Sequence, residues 1–306
     1  MRIALTGAAG YLGGYLARVL ADAGHEVIGF DRREPGPAVG LHRIGDLTDD
    51  PTAARRWLTA HRPDRVVHMA ARTGRLFGED DRTDAVRSNA EATVNVAQAC
   101  GELGIPLTYA SSSEIYGDTG QVCTEDGPYA PPHNLYGLSK RWGEEACWLY
   151  APDGLTIWRI SMPYGPGAKV GYRGLNALHA FLYAAHHRMP ITVHRGSSRS
   201  WTWVGDTMTA MTTTLERPGV WNIGGDQDHR PMEKVAALAC DIAGVSRYLI
   251  QLVDPPAAQT LTKRLSSAKL EAIGWAPTMP LVEGMRLTYE WVRQHDRDGN
   301  RIAVPA

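Results

Sequence analysis

A tyrosine and a lysine in the segment YGLSK (136–140) have the spacing of a proton-transfer pair. Tyr136 and Lys140 are four residues apart, so on a helix they would lie on the same face. An ammonium group close to a phenol favours the phenolate, which lowers the tyrosine pKa from its usual value of about 10 toward neutral pH. We therefore expect Tyr136 to act as a general base toward an alcohol.

Three consecutive serines lie in the segment YASSSEIYGD (109–118), directly after an apolar run over 106–110. In open parallel sheets, ligands bind at the edge formed by the carboxyl ends of the strands, and these serines would lie at that edge. A serine hydroxyl there could bridge the substrate oxygen and the phenol of Tyr136. The serine run is therefore a candidate part of an active site for alcohol oxidation.

A glycine-rich turn near the N-terminus predicts a binding site for a dinucleotide. The segment TGAAGYLGG (6–14) follows an apolar run and opens a helical stretch. Gly7 permits a tight turn, Gly10 lets a pyrophosphate approach the backbone, and Gly13 lets the helix pack against the strand. The phosphates would lie at the helix N-terminus, where free amides and the helix dipole favour anions.

The residues that end the second apolar run indicate which dinucleotide binds. Asp31 lies 18 residues after Gly13, where a carboxylate can accept hydrogen bonds from the adenosine ribose and repel a 2′-phosphate. Arg32 and Arg33 follow it, and their guanidinium groups could instead accommodate the extra phosphate of NADP. We expect NAD as the cofactor, with NADP as the alternative.

Strands and helices alternate along the first half of the chain, which predicts an α/β fold. Five short apolar runs have the composition of buried parallel strands: 2–6, 26–30, 64–69, 106–110 and 155–160. Helical stretches lie between them, for example over 11–24 and about 80–104. We expect a Rossmann-type doubly wound parallel sheet in an NAD-binding domain over 1–165. The looser pattern of 166–306 predicts mainly a smaller C-terminal substrate-binding lobe, with some segments returning to the first domain.

Composition and charge exclude several classes of function. A formal net charge of −1 argues against nucleic acid as a partner. The four cysteines are scattered without the spacing of a zinc or redox site, so we expect reduced thiols and no metal: Cys100, Cys123, Cys147 and Cys240. No stretch has the length and apolarity of a membrane span, and the N-terminus has the pattern of a strand rather than a signal peptide. We expect a cytoplasmic protein without a membrane partner.

With these motifs the chain resembles, over nearly its whole length, the extended short-chain dehydrogenases/reductases, and among them the NAD-dependent nucleotide-sugar epimerases and dehydratases. Further segments are similar to motifs of that family: GDLTD (45–49), VVHMAA (66–71), SNAEATVNV (88–96), RISMPYGPG (159–167) and RSWTWVGD (199–206). The resemblance implies a nucleotide-sugar substrate. It also implies a homodimer joined by the helix near 80–104 and the helix that carries Tyr136.

The resemblance assigns roles to individual residues. It places the catalytic hydroxyl on Ser112, beside Tyr136 and Lys140. The implied cofactor site consists of Gly7, Gly10, Tyr11, Leu12, Gly13, Asp31, Arg32, Asp46, Leu47, Met69, Ala70, Ala71, Asn89, Tyr136, Lys140 and Ser161. The implied substrate contacts are Thr73, Ser112, Ser113, Met162, Asn176, Arg199 and Arg264, in which the two arginines would face phosphate or sugar.

The chain departs from the family pattern at positions that the resemblance associates with contacts to the sugar. Met162 stands where the R-x-x-N turn has asparagine, and Ser200 and Gly205 stand where acids are expected. An unusual sugar or a related polyol would fit these departures.

Glu114 leaves the reaction open. The pair Ser113-Glu114 resembles the Ser-Glu pair of the family's 4,6-dehydratases and decarboxylases, in which the glutamate moves a ring proton or assists departure of a group. Alternatively, Glu114 accepts hydrogen bonds from backbone amides at the strand end. We expect an epimerase that transiently oxidises a sugar hydroxyl to a keto intermediate. The alternatives are a dehydratase, decarboxylase or ketoreductase that uses Glu114, and a non-catalytic NAD(P)-binding regulator.

Overall fold

Two units make up the computed structural model, which describes residues 1–73, 80–167, 176–257 and 259–295. The first unit consists of Met1–Ile115, Asn134–Ile160 and Met208–Ile223. The second unit consists of Tyr116–His133, Ser161–Thr207 and the chain from Gly224 onward. The sequence predicted a boundary at residue 165, with some later segments returning to the first domain. In the structure the chain changes unit after Ile160, and the segment 116–133 also belongs to the second unit.

The strands are short, and most are rich in apolar residues. In chain order they are β1 (Arg2–Thr6), β2 (Glu26–Asp31), β3 (His42–Ile44), β4 (Arg65–His68), β5 (Leu107–Ser112), β6 (Val122–Cys123), β7 (Thr156–Ile160), β8 (Pro163–Tyr164), β9 (Ile191–His194), β10 (Ser198–Ser200), β11 (Thr202–Trp203), β12 (Gly219–Ile223), β13 (His229–Pro231), β14 (Ile250–Val253) and β15 (Thr262–Leu265).

The α-helices of the described residues are α1 (Tyr11–Asp22), α2 (Ala53–His61), α3 (Arg82–Val86), α4 (Ala92–Leu103), α5 (Leu135–Tyr150), α6 (Ala177–His186), α7 (Val204–Thr214), α8 (Met232–Ala243), α9 (Ala268–Glu271) and α10 (Leu281–His295). A π-helical turn, Arg87–Glu91, joins α3 to α4, and 3₁₀ turns cover Ser113–Tyr116 and Arg247–Leu249. None of these helices is both long and apolar enough to cross a bilayer.

A seven-stranded parallel sheet forms the centre of the first unit. Its strand order is β12-β7-β5-β4-β1-β2-β3, and every neighbouring pair is parallel. The order reverses between β1 and β4, which is where open α/β sheets of this type bind ligands. The predicted Rossmann-type α/β fold is confirmed. All five predicted strands are present, with ends that differ by no more than two residues.

The core of the first unit is built from the apolar faces of the strands and of the helices α2, α4 and α5. Trp57 on α2 packs edge-on against Phe30 of β2, with ring centroids 5.4 Å apart. Val96 and Cys100 of α4 and Cys147 of α5 are fully buried in the same cluster. These contacts hold α4 and α5 side by side on the sheet.

A buried ion pair fixes α5 relative to two strands. Glu144 of α5 and Arg159 of β7 are both about 5% exposed, and Arg159 donates to both carboxylate oxygens, with Nη2 2.8 Å from Oε2 and Nε 3.0 Å from Oε1. The hydroxyl of Ser111 on β5 also donates to Glu144. Because each buried charge has a partner, the position of α5 along the sheet is strongly specified.

Smaller sheets form the second unit. β13, β10, β15 and β6 are neighbours in one sheet, while β8 pairs with β11 and β9 with β14. The helices α6, α8 and α10 pack on one another around buried side chains that include Leu182, Val235 and Met285.

The buried ion pair allows a direct test of this packing. Glu144→Ala should lower the free energy of unfolding by about 3–5 kcal/mol, because it leaves the buried Arg159 guanidinium without its partner. Glu145→Ala is the matched control, since Glu145 is the next residue of the same helix and is exposed. It should change stability by less than about 0.5 kcal/mol. Urea unfolding followed by circular dichroism measures both, and equal losses would contradict the assignment.

Candidate active site

The glycine-rich turn between β1 and α1 packs against neighbouring backbone. Gly7 has φ 75°, and a Cβ atom there would lie 2.7 Å from the Ala70 amide nitrogen. A Cβ atom on Gly13 would lie 2.1 Å from the Gly7 carbonyl oxygen. These two positions therefore require glycine.

The first turn of α1 fits the phosphates of a dinucleotide. Gly10 is the N-cap residue and has no side chain to occupy the space in front of the helix. Tyr11 and Leu12 begin the helix and are half-buried. Phosphate oxygens can accept hydrogen bonds from the amides of such a turn and gain from the helix dipole. The residues present thus fit the dinucleotide that the sequence predicts.

Asp31 ends β2 beside this turn, and its carboxylate is oriented by two amides. Oδ2 accepts from the Ala9 nitrogen at 2.9 Å, and Oδ1 accepts from the Arg33 nitrogen at 3.0 Å. Arg32 is paired with carboxylates: its Nη2 lies 2.6 Å from Asp46 Oδ2 and 3.3 Å from Asp84 Oδ1. An arginine held by two carboxylates attracts a 2′-phosphate weakly, so this arrangement favours NAD over NADP.

The GDLTD segment (45–49) contacts Arg32 through Asp46. Asp46 pairs with Arg32 and also accepts from the amide and hydroxyl of Thr48, at 2.9 and 2.8 Å. The Leu47 side chain is buried in the core, and its carbonyl oxygen accepts from Asn95 at 2.9 Å. At Leu47 a cofactor contact would therefore involve the backbone rather than the side chain.

Asn89 connects the segment after β4 to α5. It lies in the π-helical turn, a feature that often marks functional sites. Its Oδ1 accepts from the Arg72 nitrogen at 2.7 Å, and its Nδ2 donates to the Arg72 carbonyl and to Ser139 Oγ, each at 3.0 Å. Met69, Ala70 and Ala71 precede this contact and are half-buried, whereas Thr73 is exposed.

Ser112 and Tyr136 meet at the edge where the sequence places them. The Ser112 hydroxyl is close enough to the Tyr136 phenol to favour the phenolate, and it accepts from the Glu114 amide at 3.2 Å. Tyr136 lies in the first turn of α5, which Asn134 caps by accepting from the Gly137 nitrogen at 2.9 Å. Ser113, between these groups, has a buried side chain.

Lys140 is buried one helical turn after Tyr136 on the same helix. Its Nζ donates to the Ala110 carbonyl oxygen at 2.7 Å and lies 4.8 Å from the centre of the Tyr109 ring, within the range of a cation–π contact. Burial lowers the pKa of Lys140 to about 8, although Cys147 and Glu144 act in the opposite direction.

The expected lowering of the Tyr136 pKa is wrong for this structure. Desolvation raises the pKa of Tyr136 to about 12, although the hydrogen bond from Ser112 favours the phenolate. The Glu114 carboxylate raises it further. The Lys140 ammonium is instead directed at the Ala110 carbonyl, so loss of water dominates at the phenol.

Glu114 contacts the cap of α5. Its Oε2 accepts from Asn134 Nδ2 at 3.3 Å, and the other atom of the same amide, Oδ1, caps the helix. The carboxylate thus helps to orient the turn that carries Tyr136. It is also close enough to affect the Tyr136 pKa, as the catalytic interpretation requires. The donor to Oε2 is a side-chain amide, whereas the alternative interpretation expected backbone amides.

The two predicted substrate arginines, in the second unit, are held by very different partners. Arg199 is buried and donates to the carbonyl oxygens of Ser198 and Leu261, at 2.7 and 2.6 Å, and of Thr260, at 2.5 Å. Arg264 is partly exposed and donates from Nε to both oxygens of Asp226, at 3.0 and 3.1 Å.

Asp226, the partner of Arg264, is a candidate site residue that the sequence analysis did not single out. The Ser200 hydroxyl also donates to it, at 3.0 Å. Ser200 stands where the family pattern has an acid, so Asp226 supplies a carboxylate near that position. The signal was an acid directly after the NIGG strand end, 26 residues along the chain from Ser200.

Three further predicted residues lie in the second unit. Asn176 caps α6, and its Nδ2 donates to the Pro163 carbonyl at 2.7 Å, so its side chain is engaged locally. Met162 has φ 33°, in the left-handed region that non-glycine residues rarely adopt. The buried Ser161 hydroxyl has no hydrogen-bond partner within the described ranges, which is typical of a group that a ligand satisfies.

No cluster of three metal-binding side chains occurs in the part of the chain that the structure describes.

Comparison with curated proteins gives relatives of several related activities. The chain is 26% identical to a probable UDP-glucuronate 4-epimerase of Rhizobium meliloti, over 97% of this chain and 98% of that protein. It is 28% identical to GDP-mannose 3,5-epimerase 1 of Oryza sativa subsp. indica, over 96% of this chain and 82% of that protein. It is 24% identical to UDP-glucuronic acid decarboxylase 1 of Danio rerio, over 99% and 76%.

Solved structures and a family model also match the chain. The UDP-glucose 4-epimerase of Thermus thermophilus, crystallised with NAD, has a TM-score of 0.87 at 25% identity, over 96% of this chain and 100% of that chain. The dTDP-glucose 4,6-dehydratase of Streptomyces venezuelae has a TM-score of 0.86 at 22% identity, over 97% and 98%, which shows the fold alone. Residues 3–224 match the NAD dependent epimerase/dehydratase family, whose cofactor is NAD. The chain belongs to that family and is an NAD-dependent enzyme.

Proposed function

We propose that this protein is a nucleotide-sugar epimerase that works through transient oxidation of a sugar hydroxyl. The observation that carries the proposal is the proximity of Ser112 to Tyr136, with Lys140 one helical turn further along α5. The glycine-rich turn and Asp31 lie in the same unit and fit NAD. Together these groups are the parts that alcohol oxidation requires.

The proposed reaction begins with proton transfer. Tyr136, as the phenolate, accepts the proton of the sugar hydroxyl, while Ser112 donates a hydrogen bond to the oxygen that becomes the carbonyl. When bound, NAD would supply the hydride acceptor, the hydride for the reverse transfer, and a positive charge that favours the phenolate. Lys140 would hold the ribose of the cofactor. Tyr136 gives its proton back to the substrate oxygen when the ketone is reduced from its opposite face, which inverts the carbon and restores the phenolate.

The substrate class rests on two supports. The relatives named above act on sugars linked to UDP or GDP. Arg199 and Arg264 supply two positive charges in the second unit, suited to a diphosphate. Arg264 shares its charge with Asp226, so we expect a weaker attraction for phosphate there than from an unpaired arginine.

A dehydratase or decarboxylase is the second candidate. It is favoured by the position of Glu114, whose carboxylate is close enough to Tyr136 to raise its pKa and could move a proton at a neighbouring carbon. The epimerase is preferred because Glu114 is held by Asn134, the residue that caps α5, which is a sufficient structural reason for a carboxylate there.

We also propose a homodimer. Four large apolar side chains of α5 are at least 40% exposed: Trp142, Trp148, Leu149 and Tyr150. Leu103 at the end of the adjacent α4 is exposed as well. An apolar surface of this kind on two neighbouring helices suits burial against a second copy, with the four helices packed together.

The general base can be tested by Tyr136→Phe. The variant should keep NAD binding close to that of the wild type and lose turnover by about 10²–10⁴-fold, because only the proton acceptor is removed. Tyr150→Phe is the matched control, since Tyr150 is an exposed tyrosine on the same helix, and its turnover should not change. Steady-state turnover of a panel of UDP- and GDP-sugars measures both variants. Turnover by Tyr136→Phe equal to that of the wild type would contradict the mechanism.

Glu114→Gln separates the two candidate reactions. In an epimerase the variant should keep most activity, because glutamine can still accept the hydrogen bond from Asn134. In a dehydratase or decarboxylase it should oxidise the substrate, seen as NADH absorbance, and then stall because an amide cannot transfer the proton. Solvent deuterium incorporated at a ring carbon by the wild type and lost in Glu114→Gln would overturn the epimerase. Glu145→Gln, exposed on α5, controls for the charge.

The dimer is tested by placing a charge on the apolar surface. Light scattering should give twice the chain mass for the wild type, and Trp148→Glu should shift the particle toward a monomer. Tyr248→Glu is the control, because Tyr248 is 98% exposed in the second unit and should not affect assembly. A wild type that is monomeric at micromolar concentration contradicts the proposal.

A further inference from the structure

A chain of buried hydrogen bonds runs through His68, the last residue of β4. The imidazole is fully buried, with Nδ1 2.7 Å from Thr6 Oγ1 and Nε2 3.0 Å from Thr93 Oγ1. Its ring also stacks on Tyr109, with centroids 5.9 Å apart. His68 thus bridges the neighbouring strand β1 and the helix α4.

The partners of Thr93 fix the tautomer of His68. Thr93 Oγ1 donates its proton to the Asn89 carbonyl oxygen at 2.6 Å, so toward His68 it can only accept, and Nε2 carries the hydrogen. Burial lowers the pKa of His68 to about 3, which keeps the ring neutral and leaves Nδ1 as an acceptor. Thr6 Oγ1 therefore donates to Nδ1 and has its lone pairs available for amides.

Because Thr6 donates to His68, its hydroxyl oxygen can accept hydrogen bonds from the segment after β4. Its Oγ1 lies 3.2 Å from the nitrogens of both Met69 and Ala70, which donate to it. The Ala70 nitrogen and the Met69 carbonyl carbon would each lie 2.7 Å from a Cβ atom on Gly7. The amides that the chain holds are thus those packed against the glycine-rich turn.

The other end of the chain reaches the catalytic helix. Asn89, whose carbonyl accepts from Thr93, holds both backbone groups of Arg72 with its side chain and bonds Ser139, the residue before Lys140. One continuous set of hydrogen bonds therefore links β1, the segment Met69–Arg72 and α5.

We propose that His68 is a positioning residue, which through its single tautomer holds the backbone of Met69–Arg72 in the conformation that binds NAD. The inference rests on the proposed function, since it assumes that NAD lies against this segment. A purely structural histidine would affect stability alone, whereas a positioning residue also affects the affinity for NAD at a given stability.

A substitution at Thr93 tests this role most directly, because valine has nearly the same shape as threonine but lacks the hydroxyl group. Thr93→Val removes the acceptor of the His68 proton, and Thr93→Ser restores it. Thr108→Val is the matched control: Thr108 is also fully buried in the first unit and donates to a carbonyl, that of Leu215, but belongs to a different set of contacts. Titration calorimetry gives the Kd for NAD, and urea unfolding gives the stability of each variant.

We expect Thr93→Val to weaken NAD binding by about tenfold, the effect of losing one well-placed hydrogen bond. Thr93→Ser should stay within about twofold of the wild type, and Thr108→Val should lose stability without losing NAD affinity. Hydrogen exchange at the amides of Met69 and Ala70 should become faster in Thr93→Val only. If Thr93→Val does not fold, Thr93→Ala removes the same acceptor of the His68 proton and carries the same test.

The outcomes separate this inference from the proposed function. Wild-type affinity in Thr93→Val, or an equal loss in Thr108→Val, overturns the positioning role and leaves the function untouched. A wild type that binds no NAD overturns the proposed function itself, and the inference with it.

Discussion

The burial of two opposite charges on one face of α5 is the constraint on which the candidate site depends. Lys140 and Glu144 are one helical turn apart, and both are removed from water. Lys140 satisfies its charge at the Ala110 carbonyl of β5, and Glu144 does so at Arg159 of β7 and Ser111 of β5. Because an unpaired buried charge is so unfavourable, α5 has one position along these strands.

Tyr136 meets Ser112 as a consequence of that position. The phenol is in the first turn of the helix, and the serine is the next residue after Ser111 on β5. A shift of α5 by one residue would separate Tyr136 from Ser112 and would also leave Glu144 without Arg159. The stability of the fold and the geometry of the candidate site are therefore specified by the same contacts.

Much of the fold and part of the site could be predicted from the sequence, for identifiable reasons. Strand and glycine patterns are local, so β1, β2 and the turn at Gly7 were predictable, and four-residue spacing was enough to put Tyr136 and Lys140 on one face of α5. Pairings between distant segments were not predictable. The contact of Arg32 with Asp84 and that of Arg264 with Asp226 join residues 52 and 38 positions apart. The Tyr136 pKa was mispredicted because desolvation depends on everything that surrounds the phenol.

The backbone conformation at Met162 limits what can be inferred about the substrate from the residue type at this position. Position 162 adopts φ 33°, a conformation in which asparagine is several-fold enriched over most other residues. An asparagine in the R-x-x-N turn can thus be selected by its own backbone as well as by a sugar hydroxyl. Methionine at such a position costs about 1–2 kcal/mol of conformational energy. Its presence shows that the turn keeps its shape without the residue that most easily adopts it, so residue identity here is a poor guide to the substrate.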